Sequence, residues 1–276
     1  PYSSARHEFS GDASVFLDAN ENPFNTGFNR YPDPSASALR NRLAEIKGVD
    51  TNQVFIGNGS DEPIDLLIRA FCQPGVDNII IADPTYGMYA VSAAINDASV
   101  VKVPLGKDFS LDPEAVLAKV NSNTRIIFLC SPNNPTGNTI GKDKIRQILS
   151  GFSGIVVVDE AYIDFCAEET VIGELASFPN LVILQTLSKA WGMAGLRLGL
   201  CISHPELINI LDAIKPPYNI STATQTEAAT ILTGGTARRD NAVSEILSQR
   251  AQLKEGLEKM GLYVFNSDAN FLLVQF

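Results

Sequence analysis

Short apolar runs alternate with amphipathic segments along this chain, and that alternation constrains the fold more than any other feature of the sequence. The runs lie at residues 54–56, 78–82, 99–103, 125–130, 155–159, 181–184 and 198–202. One helix is predicted before the first run, over residues 36–47, and others between the runs, over residues 112–120 and 142–151 and after Glu62 and Tyr86. Strands that stay apolar along their length are typically buried on both faces. The pattern therefore predicts an α/β fold, with a mostly parallel sheet covered by helices on both sides.

Changes in composition and in the pattern of apolar residues divide the chain into three parts. Residues 1–35 are polar and rich in turn-forming residues, which predicts an extended N-terminal arm. Residues 36–214 carry the alternating pattern and form a large domain. The sequence Lys-Pro-Pro-Tyr-Asn at residues 215–219 interrupts the pattern and predicts a hinge into a small C-terminal domain over residues 215–276.

The small domain is predicted to be α+β and incomplete. Helices are expected over residues 222–233 and 238–260, followed by a strand over residues 270–276. That strand is apolar, and no segment after it could pair with it. The hypothesis is that the chain is a truncated version of a longer protein, which the intact mass of the natural product would test.

Composition excludes several classes of function. The net charge is −10 and the pI about 4.7, which disfavours nucleic acid or an anionic membrane as a partner. No apolar run approaches the ~18 residues that span a membrane, and no signal peptide is recognisable, so a cytoplasmic location is expected. His7 and His204 lack neighbours at ligand spacing, so no metal site is predicted. The cysteines form no Cys-x-x-Cys pair and are expected to be buried and reduced.

A lysine stands shortly after one of the apolar runs, in the segment Thr186–Gly199. Apolar neighbours make it easier for Lys189 to lose its proton and act as a nucleophile. The hydroxyls of Thr186 and Ser188 and the cation of Arg197 suit a phosphate group. A lone lysine is usually a surface residue, so the inference depends on these neighbours.

A carboxylate ends the run at residues 155–159. Asp159 needs a cationic partner there to stay charged. A pyridinium nitrogen would provide one, and the pair would make such a ring a better electron sink. An ion pair with a protein arginine is the alternative interpretation. Tyr162, three residues further on, could hydrogen-bond a phenolic oxygen.

Three more loops follow predicted strands, and each has a plain alternative. The prolines of Ser131–Gly137 would hold the amide of Asn134 towards a ring oxygen, or the segment is only a turn. Free N–H groups of Gly57–Glu62 could bind phosphate at a helix N-terminus, or Asp61 and Glu62 are only helix-starting acids. Tyr86 could stack on a planar ring, or it belongs to the core.

Together these motifs resemble the fold-type I aminotransferases of the aspartate aminotransferase superfamily, which depend on pyridoxal 5′-phosphate (PLP). The order and spacing of Asn134, Asp159, Tyr162, Lys189 and Arg197 are specific for the superfamily. Within it, the chain is most similar to the histidinol-phosphate aminotransferases, because of the Asn-Glu-Asn-Pro arm and the Lys-Pro-Pro-Tyr-Asn hinge. The matching stretches are Leu17–Phe24, Arg30–Asp33, Gly59–Glu62, Pro84–Tyr89, Ser131–Gly137, Val158–Tyr162, Thr186–Gly199 and Lys215–Asn219.

The resemblance implies a large PLP-binding domain in which Lys189, Asp159 and Tyr162 are catalytic. Lys189 would carry the cofactor as a Schiff base and then move the proton between the substrate carbon and the cofactor. Asp159 would pair with the pyridine nitrogen. Asn134 and Tyr162 would bond the ring oxygen, and Tyr86 would stack on the ring.

The resemblance also implies a phosphate site and a homodimer. The phosphate contacts would be the backbone N–H groups of Ser60 and Asp61 and the side chains of Thr186, Ser188 and Arg197. Tyr31, on the arm, would reach the phosphate of the neighbouring subunit, because members of the family place the active site at the dimer interface.

The implied reaction is amino exchange between L-histidinol phosphate and 2-oxoglutarate, which gives imidazole-acetol phosphate and glutamate in histidine biosynthesis. Family members continue into a segment whose arginines bind the substrate carboxylate and phosphate. No arginine follows Arg250 here. If the chain is complete, weakened substrate binding is expected, since a bidentate arginine contact is hard to replace.

Other functions remain open at this point. An aromatic aminotransferase or a threonine-phosphate decarboxylase would have a similar large domain. A non-catalytic PLP-binding regulator of DNA is disfavoured by the acidic charge. A nucleotide-binding dehydrogenase is excluded because no Gly-x-Gly-x-x-Gly motif opens the first strand–helix unit.

Overall fold

The fold is organised around a central sheet, seen in a computed structural model that describes residues 8, 9, 11 and 13–276. Within these residues the sheet has seven strands. They are β1 (Val54–Asn58), β2 (Asn78–Asp83), β3 (Ser99–Pro104), β4 (Thr124–Cys130), β5 (Ile155–Asp159), β6 (Leu181–Thr186) and β7 (Leu198–Ser203). Each apolar run in the sequence forms one of these strands.

The sheet is mostly parallel, as predicted. Its strand order is β1-β7-β6-β5-β4-β2-β3. The strands from β3 through β2, β4 and β5 to β6 are parallel, whereas β7 is antiparallel to both β6 and β1. Every residue of β5 and β6 is buried, which agrees with a sheet that is covered on both faces. The predicted α/β fold is thus confirmed.

Helices pack on both faces of the sheet through two separate apolar clusters. Ile80 of β2 belongs to one cluster, while Ile79 and Ile81 belong to the other, because side chains alternate between the faces of a strand. The helices of this region are α1 (Ser37–Lys47), α2 (Asp61–Phe71), α3 (Met88–Ile95), α4 (Pro113–Leu117), α5 (Lys142–Gly151) and α6 (Pro205–Ile214). Helices α1, α4 and α5 pack in the cluster that contains Ile80, on one face of the sheet. Helices α2, α3 and α6 pack in the other cluster, on the opposite face.

Helix α6 is absent from the sequence-based prediction. Its apolar residues Leu207, Ile208, Leu211 and Ile214 lie at helical spacing, so the sequence carried a signal that the prediction missed. Its start does follow common rules, since Pro205 opens the helix and the His204 ring accepts the N–H of Glu206 at 3.4 Å.

The C-terminal part begins with the two predicted helices, α7 (Thr222–Thr233) and α8 (Ala237–Lys259), and ends in a small hairpin. The predicted strand over residues 270–276 is wrong in its extent. Within these residues only β9 (Val274–Gln275) is a strand, and it forms an antiparallel pair with the preceding β8 (Tyr263–Val264). Residues before β9 are held by side chains instead: Ala269 is buried, and its carbonyl accepts a hydrogen bond from Arg250.

Helix α8 brings the C-terminal part against the loops that follow β5 and β6. Its residues Val243, Ile246 and Leu247 pack against a cluster that contains Tyr162 and Ala190. The division of the chain after residues 35 and 214 stays a prediction. Over the described ranges, no helix combines the length and the apolar character that crossing a membrane requires.

Candidate active site

The carboxyl ends of β5 and β6 and the turn after β1 surround a cavity of about 160 Å³. A single water needs only about 10–15 Å³, so the space admits a ligand of many atoms. Ligands of open α/β sheets bind at this end of the strands. The predicted cofactor contacts Ser60, Asp61, Tyr86, Asn134, Asp159, Tyr162, Thr186, Ser188, Lys189 and Arg197 all line the cavity. Gly59, Cys130 and Ala161 also line it and were not predicted as contacts.

Asp159, the last residue of β5, is the buried acid of this cavity. It is 2% exposed, and burial raises the pKa of its carboxyl from 3.8 to about 6. Hydrogen bonds from Tyr89 and from the N–H of Ala161 oppose that rise, as does the charge of Lys189. In the part of the chain that the structure describes, Asp159 forms no ion pair with an arginine, so the alternative interpretation of this residue finds no support.

Tyr89 is a residue of this site that the sequence analysis missed. Its hydroxyl donates a hydrogen bond to Asp159 Oδ2 at 2.7 Å. The residue is fully buried, and its ring stacks on Phe128 with 4.8 Å between the ring centroids. Tyr86 precedes α3, which begins at Met88, so helical spacing from Tyr86 gave no signal that identifies Tyr89.

Asn134 and Tyr162 lie together, as the motif predicts. Asn134 Nδ2 donates to the Tyr162 hydroxyl at 3.4 Å. Burial raises the pKa of Tyr162 to about 12, so its phenol stays protonated at neutral pH. Lys189 Nζ lies 5.3 Å from the centroid of the Tyr162 ring. Lys189 is exposed, while its neighbours Leu187 and Ala190 are buried and anchor the loop.

The loop that carries Asn134 is held by its neighbour Asn133. The Asn133 side chain donates to the carbonyl of Pro84 at 3.0 Å and to the Thr136 hydroxyl at 2.7 Å. It also accepts a hydrogen bond from the Thr85 hydroxyl at 2.7 Å. These side-chain hydrogen bonds tie the loop to the end of β2 next to it, in addition to the two prolines of the loop.

A tight turn between β1 and α2 forms the other end of the cavity. A Cβ atom on Gly199 would lie 2.2 Å from the Gly59 carbonyl carbon and the Ser60 nitrogen, so position 199 must be glycine for β7 to approach this turn. Gly59 has a φ of +75°, and its N–H donates to the Arg197 carbonyl at 2.7 Å. The contact places Arg197 beside the first N–H groups of α2, which have no acceptor within the helix.

Asp61 connects two of the predicted contacts. Its Oδ2 lies 3.4 Å from Arg197 Nη2, and its Oδ1 accepts the Tyr86 hydroxyl at 3.0 Å. Burial, with the charge of Asp61, raises the pKa of Tyr86 well above its usual value, so Tyr86 remains a protonated donor. Asp61 is also the first residue of α2, so the interpretation as a helix-starting acid applies as well.

Thr186 and Ser188 differ in what their hydroxyls already contact. The Thr186 hydroxyl donates to the Leu198 carbonyl and accepts the N–H of Ser188, both at 3.1 Å. The Ser188 hydroxyl lies 3.0 Å from Thr186 Oγ1. Thr186 therefore shapes the loop after β6, while Ser188 retains hydrogen-bonding capacity towards the cavity.

Tyr31 is the one predicted contact that does not line the cavity. Its ring stacks on Tyr218, in the predicted hinge, with 4.6 Å between the centroids. Its backbone N–H donates to Glu21 Oε1 at 2.7 Å, and the residue is 54% exposed. The implied contact with the phosphate of a neighbouring subunit stays a prediction.

The chemistry of the lining fits PLP. The buried carboxylate of Asp159 forms no salt bridge with a described side chain and suits a protonated ring nitrogen. Arg197, Ser188 and the N-terminus of α2 suit a phosphate group. A lysine amine, on Lys189, reaches the same space.

The fold and the lining of the cavity define a PLP-dependent enzyme, and the comparison with known proteins identifies its class as aminotransferase. The chain belongs to the family described as Aminotransferase class I and II, whose sequence profile matches residues 13–276. The predicted membership and the predicted enzyme class are thereby confirmed.

Particular relatives are histidinol-phosphate aminotransferases. That of Parabacteroides distasonis is 54% identical over 99% of this chain and 80% of its own length. That of Cytophaga hutchinsonii is 53% identical over 100% of this chain and 80% of its own. The solved structure of the enzyme from Clostridium acetobutylicum is similar with a TM-score of 0.82 and 27% identity, over 91% of this chain and 75% of that one. The enzyme from Sinorhizobium meliloti, solved in complex with PLP, shares the fold with a TM-score of 0.81 and 24% identity, over 89% of this chain and 67% of that one.

Proposed function

We propose that this chain transfers the amino group of L-histidinol phosphate to 2-oxoglutarate with PLP as its cofactor, in histidine biosynthesis. The products are imidazole-acetol phosphate and glutamate. The observation that carries the proposal is the cavity, which combines the buried carboxylate of Asp159, the amine of Lys189 and the cation of Arg197. The names of relatives that are 54% and 53% identical support the choice of substrate.

PLP, when bound, supplies an electron sink that acidifies the substrate carbon bearing the amino group. Asp159 would hold the ring nitrogen and keep it protonated, and Tyr86 would hold one face of the ring. Arg197, Ser188 and the N-terminus of α2 would hold the phosphate. Each of these residues lines the cavity.

Lys189 is proposed to bond covalently to the cofactor and to move the proton at the substrate carbon. Lys189 is exposed between the buried residues Leu187 and Ala190 and lines the cavity, so it is placed to meet a cofactor bound there. Tyr162 stays protonated at neutral pH and, with Asn134, would donate to the ring oxygen. Holding that oxygen limits rotation of the ring while the proton is transferred.

A homodimer in the cytoplasm is also proposed. Tyr31 lies outside the cavity of its own chain, as expected if it serves the neighbouring one. Apolar arm residues near it, such as Phe24 and Phe28, are more than 70% exposed and would be covered by a second copy. The four cysteines are free and buried, which agrees with a reducing compartment.

A spectral half-reaction tests the proposed function. The protein is loaded with PLP, the visible band of the bound cofactor is recorded, and L-histidinol phosphate is added without 2-oxoglutarate. We expect the band to be lost as the amino group moves to the cofactor. The Lys189→Ala variant should show neither the band nor its loss. Lys119→Ala, which alters an exposed lysine outside the cavity, should behave as the unaltered protein.

Competing substrates separate the proposal from its relatives. Aromatic amino acids and O-phosphothreonine are added to the same loaded protein. Preference for L-histidinol phosphate supports the proposal. A band that responds to an aromatic amino acid or to O-phosphothreonine, but not to L-histidinol phosphate, contradicts the substrate and leaves the cofactor site intact.

A further inference from the structure

Tyr89, near the start of α3, is held in place by aromatic contacts on two sides of its ring. It is fully buried. Its ring stacks on Phe128 at 4.8 Å with an interplanar angle of 15°, and the edge contact with Tyr86 has a centroid distance of 5.6 Å. A ring packed on two sides at interior density has no free alternative rotamer. The packing of the ring therefore fixes the direction of the Tyr89 hydroxyl.

That hydroxyl donates to Asp159 Oδ2 at 2.7 Å. The other carboxylate oxygen, Oδ1, accepts the N–H of Ala161 at 3.1 Å. The two donors lie on different oxygens, so together they define the plane of the carboxyl group. Hydrogen bonds to a charged acceptor are about twice as strong as neutral ones, and the shorter of the two comes from Tyr89.

We propose that Tyr89 is a positioning residue for the reaction, whose hydroxyl orients the Asp159 carboxylate and keeps it charged to pair with the ring nitrogen of the cofactor. The inference rests on the proposed function, because it concerns how Asp159 meets PLP. Tyr89 does not line the cavity, so it acts through Asp159 and not on the substrate.

Among the groups around Asp159, Tyr89 is one that favours the charged carboxylate, through its hydrogen bond. Burial disfavours the charged carboxylate, and the charge of Asp61 on α2 disfavours it further, whereas Lys189 favours it. Burial raises the pKa of the Cys130 thiol to about 12 and that of Tyr162 to about 12, so both are neutral near pH 7. Tyr86 and Tyr89 are likewise neutral phenols, because burial raises the pKa of each. Of these neutral groups, Tyr89 is the one whose hydroxyl bonds the carboxylate directly.

The test varies the strength of this one hydrogen bond in the 276-residue chain. Tyr89→Phe removes the donor, and replacement of Tyr89 by 3-fluorotyrosine makes the phenol more acidic and the donated bond stronger. Phe55→Leu is the matched control, because it loosens the same apolar cluster and leaves the ring contacts and the hydroxyl of Tyr89 in place. The ionisation of Asp159 is followed by infrared spectroscopy with isotope-labelled aspartate, and Asp159→Asn identifies its band.

We expect Tyr89→Phe to move the titration of Asp159 about one pH unit upwards, a tenfold change in its proton affinity. The fluorotyrosine protein should shift in the opposite direction, and Phe55→Leu should lower stability without a comparable shift. PLP should bind Tyr89→Phe several-fold more weakly between pH 6 and 7, and the difference should shrink above pH 8. An analogue in which CH replaces the ring nitrogen should bind equally to both proteins.

A titration of Asp159 that is the same in folded Tyr89→Phe and in the unaltered protein overturns the proposal. If Tyr89→Phe does not fold, the fluorotyrosine protein decides, and an unchanged titration there overturns it equally. The titration needs neither cofactor nor substrate. A chain with another activity would still give this result, whereas failure of the proposed function would appear only in the half-reaction with L-histidinol phosphate.

Discussion

Replacement of Asp159 by asparagine should stabilise the protein in the absence of cofactor. Burial raises the pKa of this carboxyl from 3.8 to about 6. A group whose pKa is higher in the folded chain binds its proton more tightly there. Its stabilising contribution is therefore fully present below pH 3.8 and is lost as the pH rises through about 6.

The size of the effect follows from the shift. About two pKa units correspond to about 3 kcal/mol at 1.36 kcal/mol per unit. Burial of the charged carboxylate therefore lowers the free energy of unfolding by this amount at pH 7. Asparagine carries no charge and keeps an oxygen for one of the two donors, Tyr89 or Ala161. Because the other hydrogen bond is weakened, we expect Asp159→Asn to gain about 1–3 kcal/mol at pH 7.

The assay is urea unfolding of both cofactor-free proteins at several pH values between 4 and 8. The gain should be largest at pH 7–8 and close to zero at pH 4, where the carboxyl of the folded protein is protonated. Asp97→Asn is the control, because it makes the same change of charge at an exposed aspartate. An Asp159→Asn protein that is less stable at pH 7, or equally stabilised at pH 4, would refute the reasoning.

Three further outcomes follow from the other end of the cavity and from its ring-oxygen contacts. Gly199→Ala should lower the free energy of unfolding by about 1–3 kcal/mol and weaken PLP binding, because its Cβ would meet the turn at 2.2 Å; Gly256→Ala, in open space within α8, should raise stability by about 0.5–1 kcal/mol in the same urea titration. Arg197→Gln should weaken PLP by tenfold or more but leave pyridoxal, which lacks the phosphate, unchanged in an equilibrium titration. Tyr162→Phe should leave PLP bound and slow the half-reaction about 10–100-fold by stopped-flow absorbance, since one donor to the ring oxygen is lost; equal rates would contradict its proposed role.

The residues after the strands could be predicted because a parallel sheet brings strand ends together. Asp159 and Thr186 are far apart in sequence, yet β5 and β6 are neighbours and end at the same edge. The pattern of apolar runs thus predicts which loops meet, and the motifs predict which side chains they carry. That these side chains line one cavity is a finding of the structure, while the role of each remains a prediction.

Contacts between side chains that look apolar or ordinary in the sequence could not be predicted. Tyr89 lies in a helix whose burial alone would explain an aromatic residue, and only the fold brings its hydroxyl to Asp159. Nothing in the sequence distinguishes Asn133 from Asn134 beside it, although three hydrogen bonds of the Asn133 side chain hold the loop.

The errors at the C-terminal end have a different cause. The apolar residues from 270 onwards suggest a continuous strand, but Phe271 packs at 5.2 Å against the ring of Tyr162 instead of extending the hairpin. A short apolar run is compatible with a strand or with a loop anchored by its side chains, and periodicity alone does not distinguish them.

The central claim is that Lys189 carries the cofactor, and borohydride trapping tests it most directly. The PLP-loaded protein is reduced with borohydride, digested, and its peptides are mapped by mass spectrometry. We expect one reduced pyridoxyl label, on the peptide that contains Lys189, and loss of this label when L-histidinol phosphate is added before the reductant. A label on another lysine, or no label on a protein that retains the cofactor band, would contradict it.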